Sequence, residues 1–168
     1  MTGTFRIAKR LYLFGRFEYG FYTVSQHYAF LAMEAAILCR WTASLPNPAT
    51  VQAKGLNQQM SSPSHSKLAE LWMNTGRKLL VDNLPFPNSP TSVLKRLREA
   101  SIIDVVTAKR LSAVIGLRND LSRHESSMVV PPSWSSLSVA AELINTLFDS
   151  FPYSPAKLVA ASLDAPDD

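Results

Sequence analysis

Cysteine and histidine are scarce in this chain of 168 residues, and their scarcity excludes several classes of protein. Cys39 is the single cysteine, so no disulfide can form within the chain, and we expect a reducing, cytoplasmic location. Because Cys39 falls late in an apolar helical pattern, a buried and unreactive thiol is expected. The three histidines are far apart, and none has the spacing of zinc ligands. We therefore expect neither a metal nor another cofactor.

Long apolar segments are also missing. Arg6, Lys9, Arg10 and Arg16 interrupt the start of the chain before an apolar run could serve as a secretory signal. The longest apolar stretch, residues 28–33, ends at a glutamate, whereas a helix that crosses a bilayer needs about 20 apolar residues. We expect no membrane segment.

The charge of the chain is mildly basic, with a formal net charge of +4. Four basic residues fall within residues 1–16, and no Asp or Glu lies among them. A solvated basic edge is the simpler interpretation of this segment. A patch that contacts the phosphates of RNA is the alternative.

The hydrophobic pattern predicts an all-α protein, an up-and-down bundle of about five helices within one domain, residues 1–155. Residues 1–16 form its basic N-terminal segment, and residues 156–168 are expected to be a flexible tail. Residues 43–65 are rich in Pro, Asn, Ser, Gln and Gly, which predicts a long loop with a surface histidine, His65, at its end. The predicted helices begin near residues 17, 67, 90, 105 and 134.

The first long helix, predicted over residues 17–41, carries two rows of residues at helical spacing. The larger side chains recur at steps of four and three and predict the apolar face. They are Phe17, Phe21, Val24, Tyr28, Leu31, Ala35 and Leu38. A second row consists of small residues, which allow a neighbouring helix to approach closely: Ser25, Ala29, Ala32 and Ala36. Such a helix should lie at the centre of the fold or at a dimer seam.

The chemically suggestive part of the chain runs from Arg118 to His124, near the end of the helix predicted over residues 105–123. Its apolar stripe is expected to include Leu111, Val114, Leu117 and Leu121. At about 100° per residue, Arg118 and His124 fall on the two shoulders of that stripe. Side chains in such positions can meet a groove or a second copy of the helix.

These residues resemble the HEPN family, small helical bundles whose signature is an Arg, four to six residues, and a His. Arg118 is followed by Asn119, as is often seen in the family, and five residues separate it from His124. The residues Ile102-Ile103-Asp104 that lead into this helix, and the early helical segment 28–36, are also typical of such domains. The resemblance covers about residues 17–150.

The resemblance implies a metal-independent endoribonuclease with a composite active site at a homodimer interface, and it suggests a toxin or a defence effector as the biological role. It places His124 in proton transfer, for which an imidazole is suited at neutral pH. It places Arg118 on the scissile phosphate, because a guanidinium stays charged and can donate two parallel hydrogen bonds. Asn119 would orient the substrate or His124, or else fix the end of the helix. RNA and an antitoxin or other partner protein are the implied partners.

Three further residues could line the same groove. His27 and Glu34 are seven residues apart and fall on one side of the first long helix, and Arg123 could contact a phosphate. Each has a simpler explanation as a polar flank or a solvated charge. An Arg and a His near a helix end also complement the helix dipole without any catalytic role. A non-catalytic HEPN-like module that binds RNA, a nucleotide or a protein, and a subunit of an unrelated helical assembly, therefore stay as alternatives.

Overall fold

A computed structural model describes residues 2–15, 17, 20–123 and 133–149 of the chain. Within these residues there are six helices and four short strands. In chain order they are α1 (Thr2–Phe14), α2 (Gly20–Ala43), β1 (Ala49–Ala53), β2 (Leu56–Met60), α3 (His65–Asn74), β3 (Leu80–Val81), β4 (Leu84–Pro85), α4 (Pro90–Glu99), α5 (Val105–Arg123) and α6 (Ser133–Phe148). The protein is mostly helical, as expected, but the all-α class is wrong because the strands form a sheet. The predicted tail, residues 156–168, lies outside the described residues.

The chain divides into two compact units. The central unit is Glu34–Leu117, and the terminal unit combines residues up to Met33 with residues from Arg118 onward. The sheet, α3 and α4 belong to the central unit, whereas α1 and α6 belong to the terminal unit. Helices α2 and α5 each contribute residues to both.

The terminal unit contains a helix that the sequence pattern did not predict, α1. Its buried Ala8 packs with Ala29 of α2 and with Leu137 and Ala140 of α6. The partly buried aromatic side chains Phe5, Tyr12 and Tyr28 surround this contact. The basic residues Arg6, Lys9 and Arg10 lie exposed on the same helix. The predicted basic segment is thus one face of an amphipathic helix, since its apolar residues are buried against neighbours.

Helix α2 buries the row of small residues rather than the row of large ones. Ser25, Ala29 and Ala36 have no exposed surface, whereas Phe17, just before the helix, is 86% exposed and Val24 is 42% exposed. The Ser25 hydroxyl donates to the Ala8 carbonyl oxygen at 2.7 Å, which is close enough to hold α1 against α2. The predicted apolar face is therefore wrong at its N-terminal end, because close helix approach there requires small side chains. Cys39, expected to be buried, is exposed.

The segment predicted as a long loop, residues 43–65, contains a β-hairpin. Strands β1 and β2 pair antiparallel from Ala49–Met60 to Ala53–Leu56, which leaves a two-residue turn, Lys54-Gly55. Gly55 has a φ of 77°, a conformation that glycine adopts at little cost. The loop prediction failed because β2 is largely polar, so the segment shows little alternation of apolar residues.

Strand β1 also pairs with β3, and β3 pairs with β4, giving the sheet order β2-β1-β3-β4. Asp82 and Asn83 connect β3 to β4 and have φ angles of 49° and 64°, as the two central residues of a type I′ hairpin turn do. The Asp82 carboxylate accepts a hydrogen bond from the Thr50 amide at 2.9 Å, and the Asp82 amide donates to the Thr50 carbonyl at 2.8 Å. This pair of bonds anchors the turn to β1.

Three of the described helices begin at side-chain caps. The Ser64 hydroxyl accepts from the Lys67 amide at 3.3 Å and caps α3. Ser89 forms a capping box with Ser92 and is followed by Pro90, the first residue of α4. The Asp104 carboxylate accepts from the Thr107 amide at 2.6 Å, and this bond lowers the pKa of Asp104. Local capping bonds therefore mark the starts of α3, α4 and α5.

No helix in the part of the chain that the structure describes is long and apolar enough to cross a membrane.

Candidate functional site

Arg118 and Asn119 lie near the C-terminal end of α5. Arg118 is the first residue of α5 that belongs to the terminal unit. Arg118 is half-buried, and its Nε atom is enclosed by protein. Its Nη1 atom donates to Oδ1 of the exposed Asn119 at 3.3 Å. Two predicted site residues are therefore in contact. The Nε atom of Arg118 is buried against protein, and its Nη1 atom is hydrogen bonded to the side-chain amide of Asn119.

The buried face of α5 differs from the predicted stripe by a rotation. Leu111 has no exposed surface and Ile115 is 6% exposed, whereas Leu117 is 48% exposed. At about 100° per residue, Leu111 and Ile115 lie within about 60° of Arg118 around the helix. Arg118 thus lies at the edge of the buried face itself, which explains its enclosed Nε.

The second half of the predicted site falls outside the described residues. His124 lies outside them, and so does the side chain of Arg123, whose backbone ends α5. The expectation that His124 and Arg118 share a groove stays a prediction.

The two candidates on α2 differ in exposure. His27 is exposed, and its ring meets the Tyr28 ring edge to face with centroids 6.4 Å apart. Glu34 is half-buried and belongs to the central unit, whereas His27 and Arg118 belong to the terminal unit. An exposed imidazole on α2 remains available to a ligand or to solvent.

Gln26 is a buried polar residue of the terminal unit that sequence reasoning missed. It is 2% exposed, and its Nε2 atom donates to the Ser136 hydroxyl of α6 at 2.6 Å. This bond links α2 to α6 and gives the buried Nε2 group a partner, without which its burial would cost about 1–3 kcal/mol. Its position beside Ser25, in the row of small residues, was the available clue in the sequence.

A second cluster with chemical potential lies in the central unit, around His65 at the start of α3. The His65 ring lies 5.2 Å from the Phe86 ring and 5.9 Å from the Trp41 ring, measured between centroids. Phe86 also contacts Trp72, with centroids 6.1 Å apart. His65 is half-buried, which is more enclosed than the predicted surface position, because these aromatic side chains cover part of the ring.

Burial lowers the pKa of His65, and a hydrogen bond with the backbone of Pro87 partly opposes that change. Its Nε2 atom is enclosed and has no hydrogen-bond partner among the residues that the structure describes. The neutral imidazole is therefore the stable form at neutral pH, which suits a packing role better than proton exchange with solvent.

In the described ranges, residues 2–15, 17, 20–123 and 133–149, no three His, Cys, Asp or Glu residues lie close enough together to hold a metal ion. Comparison with known proteins gives no match to any family model, curated protein or solved structure.

Proposed function

We propose that this protein is a metal-independent endoribonuclease of HEPN type that cleaves single-stranded RNA in the cytoplasm as a homodimer. Its main support is the guanidinium of Arg118, which lies six residues before His124, has an enclosed Nε and donates from Nη1 to Asn119. A restrained guanidinium loses less conformational freedom when it binds a phosphate than a freely rotating one does. The Arg-Asn-x4-His run that resembles the family begins at this residue.

In the proposed reaction the RNA 2′-hydroxyl attacks the adjacent phosphorus, and the bond from phosphorus to the 5′-oxygen breaks. His124 accepts the hydroxyl proton, and an imidazolium, from the second subunit of the dimer, gives a proton to the leaving 5′-oxygen. Arg118 stabilises the extra negative charge on the phosphorane, and Asn119 holds Arg118. The products are a 2′,3′-cyclic phosphate and a 5′-hydroxyl end, and no cofactor takes part.

Exposed apolar side chains of the terminal unit support the homodimer. Phe14, Phe17 and Phe21 are 56%, 86% and 37% exposed, and the Phe14 and Phe21 rings lie 6.3 Å apart. Leu13 of α1 and Val24 of α2 are also exposed, at 63% and 42%. Clustered exposed aromatic residues on a soluble protein mark an interaction surface. In this proposal a second copy of the chain covers them, as the dimer-seam interpretation of α2 expects.

The catalytic assignment is tested by cleavage of single-stranded RNA in EDTA. We expect His124→Ala to lose at least about a hundredfold in rate, and Arg118→Lys to lose a large part of the rate because Lys cannot make two parallel bonds. His65→Phe is the matched control, since it removes a histidine of the central unit and should leave the rate unchanged. Equal cleavage by the wild type and by His124→Ala would contradict the proposal.

The dimer is tested by sedimentation equilibrium together with the same assay. Phe17→Glu should give a monomer that has lost cleavage, because the site needs both subunits. Val106→Glu is the control, since Val106 is also exposed, at 65%, but lies on α5 in the central unit. A wild-type monomer that cleaves RNA would refute the composite site.

The alternative function is RNA binding without chemistry, and the exposed basic face of α1 favours it. Arg6, Lys9 and Arg10 are all exposed on this helix, and the Lys9 ammonium lies 5.4 Å from the Phe5 ring centroid. Binding through phosphates would weaken steeply as salt rises, with no product formed. RNA binding that is insensitive to salt would exclude this function.

A further inference from the structure

The central unit has a groove, apart from the candidate nuclease residues, whose lining combines cationic and aromatic side chains. Its volume is about 700 Å³, within the range of about 300–1,000 Å³ that small-ligand sites occupy. Strand β1, the turn after it, the end of α3 and the segment around β3 and β4 form its walls. Each of its lining residues belongs to the central unit.

The charge of this groove has one sign. Lys54, Arg77 and Lys78 line it, and no Asp or Glu does so among the residues that the structure describes. Lys54 lies in the β1–β2 turn, and Arg77 and Lys78 follow α3, so two separate loops bring the cations together. All three are exposed. The groove is therefore electrostatically complementary to an anion such as phosphate.

The aromatic wall of the groove is Trp72, packed on the buried Phe86. The Arg77 guanidinium lies over the Trp72 ring at 5.5 Å from its centroid, as in a cation–π pair. Arg77 has a φ of 64°, a backbone conformation that is uncommon for residues with a side chain. Together with the φ of 65° at Gly76, this conformation turns the chain back toward α3. The Arg77 amide then donates to the Trp72 carbonyl oxygen at 2.8 Å.

A planar, cationic and aromatic surface of this kind suits a nucleobase, since bases stack on both indole rings and guanidinium planes. The side-chain amides of Gln52 and Asn88, which also line the groove, can donate to or accept from a base or a ribose. Phosphate, ribose and base thus each find a matching group within one groove.

We propose that this groove binds a nucleoside phosphate, with the base against the Trp72–Arg77 pair and the phosphate between Lys54 and Lys78. The ligand is a free nucleotide or one nucleotide of a single-stranded RNA, and the two share this chemistry. The groove does not depend on the proposed nuclease, because it uses neither Arg118 nor His124. If both sites act on RNA, the groove holds a strand that is cleaved elsewhere.

The test measures binding of two probes to the full chain. Fluorescence anisotropy measures the binding of a labelled, single-stranded 2′-O-methyl oligonucleotide, which lacks the hydroxyl that the proposed cleavage requires. Isothermal titration calorimetry measures the binding of AMP. The paired variant Lys54→Glu/Lys78→Glu removes the phosphate contacts, and Lys67→Glu/Lys109→Glu makes the same change in net charge at exposed lysines outside the groove. Circular dichroism and thermal unfolding check that both variants fold.

We expect the groove variant to bind at least about tenfold more weakly than the wild type, and the log–log salt slope of oligonucleotide binding to fall by about 0.7, because the two lysines contact one phosphate and each phosphate neutralised on a single strand contributes about 0.7. The control pair should bind nearly as the wild type does. Arg77→Asn, which tolerates the positive φ, should weaken binding without reducing the number of lysines. Binding of AMP identifies a free nucleotide as a ligand, and binding of the oligonucleotide alone identifies a strand.

Two results would overturn the proposal. One is the absence of binding of both probes to the wild type, and the other is equal weakening by the groove pair and the control pair, which would show a general effect of charge. The cleavage assay tests the nuclease separately, since loss of cleavage in His124→Ala should leave the binding of the 2′-O-methyl probe unchanged.

Discussion

The enclosed position of His65 predicts that the central unit loses stability in mild acid. Burial lowers the pKa of His65 in the folded protein, whereas in the unfolded chain the imidazole keeps its ordinary value of about 6.5. At pH values above it, the His65 imidazole is neutral in both the folded and the unfolded protein and does not make the free energy of unfolding depend on pH. As the pH falls below it, the unfolded chain takes up the proton first, so the free energy of unfolding decreases until the folded pKa is passed.

The size of the effect is bounded by proton linkage. One proton of difference between the two states changes the free energy of unfolding by at most about 1.4 kcal/mol per pH unit. His65 should approach that slope only in the interval between its two pKa values. The full loss therefore depends on how far below 6.5 the folded pKa lies, and the pH curve itself measures that distance.

The assay is urea unfolding followed by tryptophan fluorescence, from about pH 7.5 to about pH 5. A Trp134→Phe background removes the tryptophan of α6, so that Trp41 and Trp72, in contact with the His65 cluster, report the central unit. His65→Phe in the same background preserves an aromatic ring and removes the titrating group. The difference between the two proteins should grow as the pH falls. Parallel pH curves would refute the inference that burial keeps His65 neutral.

Two further predictions concern packing and capping. Ala29→Leu should lower the free energy of unfolding by about 1–3 kcal/mol, because Ala29 is fully buried where α1, α2 and α6 meet. Val24→Leu, on the exposed face of α2, should change the free energy of unfolding by less than about 0.5 kcal/mol. Chemical denaturation measures both variants, and equal effects would contradict the assigned buried face. Ser89→Ala should cost about 1 kcal/mol by removing the cap that accepts from Ser92, and Ser89→Asp, which can still accept, should retain most of the stability.

The sequence predicted most helices well, because each combines a helical period with a recognisable start. Ser89 before Pro90 and Asp104 before α5 mark their helices correctly, since a cap acts locally. The sheet could not be predicted in the same way. Strand β2 is largely polar and gains its position from pairing with β1, a contact that its own residues barely encode. The Asp82-Asn83 turn was the clearest local clue to the second hairpin.

The burial of α2 shows a different limit. Large apolar residues normally mark the buried face of a helix, yet here the small row is buried and Phe17 is exposed. Helical periodicity identifies the row of large residues and the row of small residues on α2, but it does not decide which row a neighbouring helix covers. That choice depends on the shape of α1, which packs closely against Ala29. His65 illustrates the same point, since its aromatic neighbours come from distant parts of the chain.

The residue types of the candidate site were predicted from the sequence, and the structure adds the enclosed Nε of Arg118 and its hydrogen bond to Asn119. The pairing of Arg118 with Asn119 follows from their adjacency on α5. The groove around Trp72 was not predicted, because its cations come from two loops that are brought together by the unpredicted sheet.

The most direct test of the central claim, that Arg118 and His124 cleave RNA through its own 2′-hydroxyl, is analysis of the product ends by mass spectrometry. The substrates are a single-stranded RNA and its 2′-O-methyl counterpart, each incubated with the wild type and with His124→Ala in EDTA. We expect 2′,3′-cyclic phosphate and 5′-hydroxyl ends from the RNA with the wild type alone, and an intact 2′-O-methyl strand in every reaction. Cleavage of the 2′-O-methyl strand, or cyclic ends that form equally with His124→Ala, would contradict the claim.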